Sequence, residues 1–166
     1  HVLSRRQRQM CIRDRFIYEQ QKLIIRSHMY QISDVNKKDY KKILQIEKQL
    51  FEYPWNMKDL SKYAEQEYFK IWKIELNEII GYVSFFDIKN EIEIIKIGIT
   101  KDYQRRNYGT FFINEMKNKG AQNIFLEASS KNIEAINFYY KNGFKKLGIR
   151  KSYYRAKDKA RIDALT

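Results

Sequence analysis

Two side chains in the segment FLEASSKNIEAINFYYKNGF, residues 125–144, could move protons during a group transfer. Glu127 closes a short apolar run that predicts a strand, and Tyr139 follows on a predicted helix. A carboxylate can take a proton from an amine, and a phenol can give one to a departing anion. The end of a strand and the next helix can face one cleft, so the two groups could act together.

Each of these residues also has an ordinary structural interpretation. An acidic residue at the end of a strand is commonly solvated, and a tyrosine on an amphipathic helix is commonly part of the core. Tyr140 is a second phenol, turned by about 100° around the helix from Tyr139. Sequence chemistry alone leaves open which phenol would be the acid.

The stretch QRRNYG, residues 104–109, follows a predicted strand and opens a predicted helix. Such a turn directs several backbone N–H groups at one point, and the helix dipole and two arginines add positive charge. An anion such as a pyrophosphate would be held there, although the spacing matches neither a Walker loop nor a dinucleotide-binding fingerprint. An ordinary basic start of a helix is the alternative interpretation.

The elements that must position these residues follow from the apolar pattern. A helix over about 36–52 ends before Tyr53-Pro54-Trp55, because the residue before a proline is pushed out of helical geometry. Glu47 interrupts the apolar stripe of that helix. A second short helix capped by Asn56 comes next, and later helices follow QRRNYG and begin at Asn132. The predicted strands are 68–76, 79–88, 91–99, 123–128, 144–154 and one that begins at 161.

Length and composition restrict the classes of protein to which the chain can belong. The chain has 166 residues, of which 43% are hydrophobic and 32% charged, which predicts one globular α+β domain. The single cysteine, Cys11, excludes an internal disulfide, so we expect a cytoplasmic protein. We expect no metal site, because His1 and His28 lie outside the organised part of the chain.

The formal net charge of +13 has two interpretations. One is a nucleic-acid partner. The other is the lysine-rich usage of an AT-rich genome, and the scattered lysines favour it.

HVLSRRQRQMCIRDR at the start resembles translated sequencing-adapter sequence, so we interpret residues 1–28 as a non-native or disordered extension. A genuine basic arm is the alternative. We expect a single domain over 29–166, truncated in its last strand.

From residue 29 onward the chain resembles the GNAT superfamily of N-acetyltransferases. QRRNYG is similar to their acetyl-coenzyme A turn, Gln/Arg-x-x-Gly-x-Gly/Ala, with Asn107 in place of the first glycine. Asparagine tolerates positive φ, so the turn can survive. The Tyr53-Pro54-Trp55 element, FLEASSKN, AINFYYKNGF and RKSYY followed by RIDA resemble, in order, the ribosomal-protein alanine N-acetyltransferases (RimI-type). That branch usually continues Leu-Glu-Val-Arg where this chain has Leu126-Glu127-Ala128-Ser129.

The resemblance implies the GNAT fold, in which helices flank a mixed central sheet with an antiparallel meander and a parallel pair at the cofactor cleft. It also implies acetyl-CoA as cosubstrate, Glu127 as the base and Tyr139 as the acid. The cofactor-binding residues it implies are Ile97, Gly98, Ile99, Arg105, Arg106, Asn107, Tyr108, Gly109, Thr110 and Asn132. A plain helix cap is the competing interpretation of Asn132. We expect the walls of the acceptor groove to include Tyr53, Trp55, Tyr153 and Tyr154.

The leading hypothesis is an N-terminal acetyltransferase that modifies a ribosomal protein. The resemblance implies the N-terminal alanine of small-subunit protein eighteen as acceptor and proximity to the ribosome, without a membrane or DNA partner. One alternative is a GNAT enzyme that acetylates small amines. Another is a basic module, bound to the ribosome or to RNA, that has no catalytic activity. Such a module would need neither the QRRNYG turn nor Glu127 nor Tyr139.

Overall fold

The structure, a computed structural model, describes residues 30–155 and 161–166. The prediction that residues 1–28 are a non-native or disordered extension lies outside the described residues. Within the described ranges no helix is long and apolar enough to cross a membrane. The same ranges contain no cluster of His, Cys, Asp and Glu that could hold a metal ion.

In chain order, a first strand precedes two helices and three strands, and two units of one helix and two strands follow. The strands are β1 (Gln31–Asp34), β2 (Phe69–Glu75), β3 (Ile79–Ile88), β4 (Glu91–Ile99), β5 (Asn123–Leu126), β6 (Ala128–Ser129), β7 (Ile149–Arg155) and β8 (Arg161–Leu165). The α-helices are α1 (Tyr40–Leu50), α2 (Met57–Ala64), α3 (Tyr108–Asn118) and α4 (Ile133–Lys141). Short 3-10 turns at Lys37–Asp39 and Lys101–Tyr103 precede α1 and the QRRNYG turn.

The strands form two sheets. The larger has the order β1-β2-β3-β4-β5, in which only the pair β4 and β5 is parallel, and the smaller has the order β6-β8-β7. The antiparallel meander β2-β3-β4 needs only tight turns, whereas the parallel pair needs the crossover through α3. The predicted α+β class with a mixed sheet is confirmed.

Helices cover both faces of the larger sheet. On one face α3 places Phe112, Ile113 and Met116 against Phe85 and Ile94. On the opposite face α1 and α2 pack Ile43, Ile46 and Leu60 against a second buried cluster that contains Tyr82. A sheet buried on both faces explains why β3 is buried over almost its whole length.

Three details differ from the pattern predicted from sequence. Strand β1 was not predicted, because its four residues lack apolar alternation and become a strand through pairing with β2. The strand predicted over 144–154 begins only at Ile149, where pairing with β8 starts. The strand predicted over 123–128 is two strands that belong to different sheets, since the chain leaves the larger sheet at Glu127.

Candidate active site

The parallel pair of β4 and β5 ends before β4 does. Their last paired residues are Ile94 and Leu126, and the next residue of the chain after β5 is Glu127. The chain then turns into the smaller sheet, where Ala128 pairs with Leu165. Beyond Ile94, the edge of β4 that faced β5 therefore has no strand beside it among the described residues.

The open edge of β4 carries the residues that the sequence predicts for the pantetheine arm. On its other side the strand stays paired with β3, through Ile97 with Val83 and Gly98 with Tyr82. A bulge at Ile95 shifts the register, because Ser84 pairs with Lys96 and Phe85 pairs with Ile94. Backbone N–H and C=O groups at a free edge can pair with an amide-bearing ligand as they would with another strand.

Gly98 lets the end of α1 lie directly on β4. A Cβ at this position would come within 3.0 Å of a Leu50 methyl carbon and 3.3 Å of the Phe51 ring. Side chains alternate along a strand, so Lys96 shares this face with Gly98, whereas Ile97 and Ile99 pack on the α3 side.

The QRRNYG turn connects the end of β4 to the start of α3. The Gln104 side-chain amide donates to the Ile99 carbonyl at 2.8 Å, which ties the turn to the end of β4. Arg105 and Asn107 have φ values of 59° and 66°, in the left-handed region that asparagine adopts more readily than most residues. Asn107 is also the N-cap residue of α3, so the first backbone N–H groups of the helix follow directly.

Gly109 has a packing role that the sequence pattern did not reveal. A Cβ on Gly109 would lie 2.9 Å from the Phe138 ring on α4. The glycine therefore allows α3 and α4 to approach closely, beside the helix position that carries Tyr139. Arg105 adds a second link between these helices through an exposed ion pair with Glu134 at 3.2 Å. Because both partners are exposed, this pair contributes little to stability.

Asn132 caps α4. Its side-chain oxygen accepts from the Ala135 N–H at 3.1 Å, which satisfies one of the free donors in the first turn of the helix. The plain-cap interpretation is therefore correct, and a contact between Asn132 and the cofactor remains a prediction.

The side chain of Glu127 is surrounded by residues of β7. Its Oε1 lies 2.8 Å from an Nη atom of Arg150, and the Glu127 side chain is only 18% exposed. The pKa of Tyr153 is raised, first because its hydroxyl hydrogen-bonds the Glu127 carboxylate. The Tyr154 hydroxyl donates to the Glu127 backbone carbonyl at 3.3 Å. Sequence reasoning missed Arg150, although the RKSYY motif contains it.

Tyr139 and Tyr140 differ in environment. The Tyr139 ring packs against Phe138 and Phe144, with centroid distances of 5.2 and 5.4 Å. Burial, and then the nearby Tyr154 phenol, raise the pKa of Tyr139, so it remains a neutral proton donor at physiological pH. Tyr140 is 50% exposed.

A cavity of about 250 Å³ brings Glu127 and Tyr139 to one wall. Tyr140 and Arg150 also line it, and apolar residues of β5 form its floor. The cavity lining does not include the open edge of β4, the QRRNYG turn, or any of the four tyrosine and tryptophan residues predicted for the acceptor groove. The cavity therefore brings together the two predicted catalytic groups, whereas the predicted cofactor-binding and groove residues are not part of its lining.

Comparison with known proteins gives this arrangement a family. The model of the acetyltransferase (GNAT) family matches residues 40–144, which include the open β4 edge, the turn, Glu127 and Tyr139. The chain belongs to this family. It is an acetyltransferase that uses acetyl-CoA, and the resemblance seen in the sequence is confirmed.

Relatives and solved structures agree with this assignment. The chain is 31% identical, over 127 residues, to the [ribosomal protein bS18]-alanine N-acetyltransferase of Haemophilus influenzae, and the match covers 74% of this chain and 86% of that protein. The crystal structure of the ribosomal-protein-S18-alanine N-acetyltransferase from Escherichia coli superposes with a TM-score of 0.73 at 26% identity, covering 82% of this chain and 90% of that one. Arabidopsis thaliana NAA60 in complex with acetyl-CoA shares the fold, with a TM-score of 0.70 at 15% identity, covering 82% of this chain and 96% of that one.

The residues of this family member fit acetyl-CoA. The edge of β4 beyond Ile94 offers backbone partners for the pantetheine arm. The N-terminus of α3, with Arg105 and Arg106 beside it, offers donors and positive charge for the phosphates. These individual contacts remain predictions.

The predicted groove residues fall into two environments. Trp55 is partly a core residue, because its ring stacks on Tyr63 at 4.8 Å. Tyr53, in contrast, is 56% exposed. On β7, Tyr153 is 48% exposed and Tyr154 is half-buried, and their rings meet at 5.0 Å. Tyr53 and Tyr153 thus have the accessibility that a groove wall requires, and the groove itself remains a prediction.

Proposed function

We propose that the protein transfers the acetyl group of acetyl-CoA to the N-terminal alanine of ribosomal protein bS18, with Glu127 as general base and Tyr139 as general acid. A cytoplasmic location and proximity to the ribosome are part of this proposal. The observation that carries it is the opening of the sheet at Glu127, with Tyr139 on the wall of the same cavity. Two relatives that carry the bS18-alanine name support the choice of acceptor.

Starting from a protonated α-amine, the reaction removes two protons from the nitrogen, one before and one after the N–C bond forms, and adds one proton to the departing sulfur. When bound, acetyl-CoA supplies an activated acetyl group and a thiolate leaving group. An α-amino group has a pKa near 8, so at pH 7 its deprotonation costs about 1.4 kcal/mol, compared with about 4.6 kcal/mol for a lysine side chain. Glu127, directly or through a water molecule, needs to accept a proton only from the easier of these two donors.

The surroundings of the two groups suit these roles. Arg150 and Tyr153 contact the Glu127 carboxylate and orient it. The raised pKa of Tyr139 keeps the phenol protonated, so it has a proton to give to the departing sulfur. The nitrogen loses its second proton when the C–S bond breaks, and this proton restores the Tyr139 phenol after Tyr139 has protonated the thiolate. The proton on Glu127 leaves to solvent, so one turnover releases one proton.

Turnover of acetyl-CoA against a panel of acceptors tests the proposal. The panel contains peptides that begin with the bS18 sequence, the same peptides with other first residues, an N-terminally blocked peptide that contains lysine, and polyamines. We expect the highest kcat/KM for the peptide with N-terminal alanine. Preferred turnover of polyamines would favour the small-amine alternative. Binding of RNA or ribosomes without any turnover would favour the module that has no catalytic activity.

A further inference from the structure

Glu47 is a charged residue in the interior of the protein. It lies on the buried face of α1, and its side chain has no solvent exposure. Its carboxylate accepts hydrogen bonds from the Tyr82 hydroxyl on β3 and from the Trp55 backbone N–H at 2.8 Å. Lys96 of β4 completes the cluster, with its Nζ 2.7 Å from Glu47 Oε2. The interruption of the apolar stripe in the sequence is thus an ion pair between a helix and a strand.

Lys96 makes three further contacts with the segment between α1 and α2, residues 51–56, which we call the 51–56 loop. Lys96 Nζ donates to the Tyr53 carbonyl at 3.1 Å. The same ammonium lies over the rings of Phe51 and Trp55, at 4.6 and 4.7 Å from their centroids. The loop is therefore held at its backbone and at two rings, whereas the Tyr53 ring stays 56% exposed.

We infer that Glu47 and Lys96 are positioning residues that lock the 51–56 loop to β4 as one wall of the acceptor groove. This inference rests on the proposed function, because it concerns the acceptor of that reaction. Lys96 directly precedes Ile97 in β4. The ion pair thus fixes the loop to the strand whose open edge is expected to hold acetyl-CoA, and it sets the position of acceptor and cofactor relative to each other.

A role in stability alone does not explain the cluster. Buried ion pairs often contribute no more to stability than apolar residues of the same volume, because removing two charges from water is costly. The cluster is fully satisfied, so it can define one loop position where an apolar contact would allow several.

The chain offers a matched control near the start of the same helix. Asp39 and Lys73 form another buried ion pair, at 3.1 Å, with side chains 9% and 8% exposed. The other hydrogen bond of Asp39 comes from the Asn36 backbone, so its partners lie outside the 51–56 loop. Asp39→Asn therefore removes a buried charge without releasing the loop.

The test compares Glu47→Gln, Lys96→Met, their double variant and Asp39→Asn in the full chain. Glu47→Gln keeps the volume and one acceptor oxygen but leaves Lys96 without its counter-charge. We expect it to raise the KM of the acceptor peptide about tenfold, the effect of losing one charge-assisted contact. We expect kcat and the KM of acetyl-CoA to change less than about twofold, and amide hydrogen exchange in the 51–56 loop to become faster. The double variant should show a KM no higher than that of Lys96→Met, because both charges are then absent.

Asp39→Asn should leave the acceptor KM and the exchange of the 51–56 loop unchanged, even where it lowers the melting temperature. The inference is overturned if Glu47→Gln leaves loop exchange unchanged, or if exchange rises while the acceptor KM stays the same. A fall in kcat alone, in proportion to the folded fraction, would also overturn it. If the wild-type protein prefers a polyamine, the proposed function fails, and the KM of that amine then decides the positioning role by the same criteria.

Discussion

Replacing Glu127 by glutamine should reveal the general base through pH dependence. Glutamine keeps the shape of the side chain and can still accept a hydrogen bond from Arg150, but it cannot take a proton from the acceptor. We expect kcat/KM to fall by about 10²–10⁴-fold at pH 7, which is the usual contribution of one general base to the rate. Between pH 7 and pH 9 the neutral fraction of an α-amine with pKa near 8 rises about tenfold, so the variant should recover by about that factor.

The structure indicates that such a loss would not come from unfolding. The Glu127–Arg150 pair is 2.8 Å long, but the Arg150 side chain is 60% exposed. Water therefore screens the pair, and its loss should change the free energy of unfolding by no more than about 1 kcal/mol. Tyr139→Phe removes only a hydroxyl from a ring packed between Phe138 and Phe144. Its loss of rate should persist at pH 9, since protonation of a thiolate becomes no easier there.

The assay measures the release of free thiol at saturating acetyl-CoA, with thermal melting and calorimetry on each variant. Cofactor affinity should stay close to that of the wild-type protein in both. Tyr140→Phe is the matched control, because Tyr140 is the adjacent phenol on the same helix. Near-normal kcat in Glu127→Gln at pH 7 would refute the assignment of the base. A pH-independent loss in Tyr140→Phe, with normal rates in Tyr139→Phe, would refute the assignment of the acid.

Four further predictions concern the cofactor, the groove and stability. A protein lacking residues 1–28 should bind acetyl-CoA as tightly as the full chain in calorimetry, and loss of binding would restore the basic arm as functional. Gly109→Val should abolish cofactor binding, because a branched side chain would block the turn and clash with the Phe138 ring of α4, 2.9 Å from the added Cβ. Unchanged affinity for acetyl-CoA would show that QRRNYG is an ordinary helix start. Tyr53→Ala and Tyr154→Ala should each raise the peptide KM, and an unchanged KM in folded variants would remove these residues from the groove. Above pH 10 the free energy of unfolding of the wild-type protein should fall more steeply with pH than that of Tyr139→Phe, by up to about 1.4 kcal/mol per pH unit in denaturant titrations. The reason is that the raised pKa keeps the folded phenol protonated at a pH where the unfolded phenol ionises. Equal slopes would contradict the burial of Tyr139.

Local chemistry made much of the fold predictable. The meander of β2, β3 and β4 followed from alternation and tight turns, and two of its strands have the predicted bounds. The cap at Asn132 was predicted as a side chain that satisfies a free N–H group. Asn107 was expected to take the place of a glycine, and its φ of 66° confirms that the turn uses the left-handed region. Each of these features depends on residues that are close together in the chain.

Contacts between distant residues decided the rest. The sequence shows one apolar run through Glu127, but the run breaks there because β5 pairs with β4 whereas β6 pairs with β8. Arg150 reaches Glu127 only because β7 and β8 fold back beside it. In the sequence Glu47 only interrupts the apolar stripe of an amphipathic helix, because its partner Lys96 is 49 positions away in the chain. Sequence motifs thus indicated the family and two candidate reacting groups, whereas pairing across the sheets determined where β4 and β5 separate and which charges face each other.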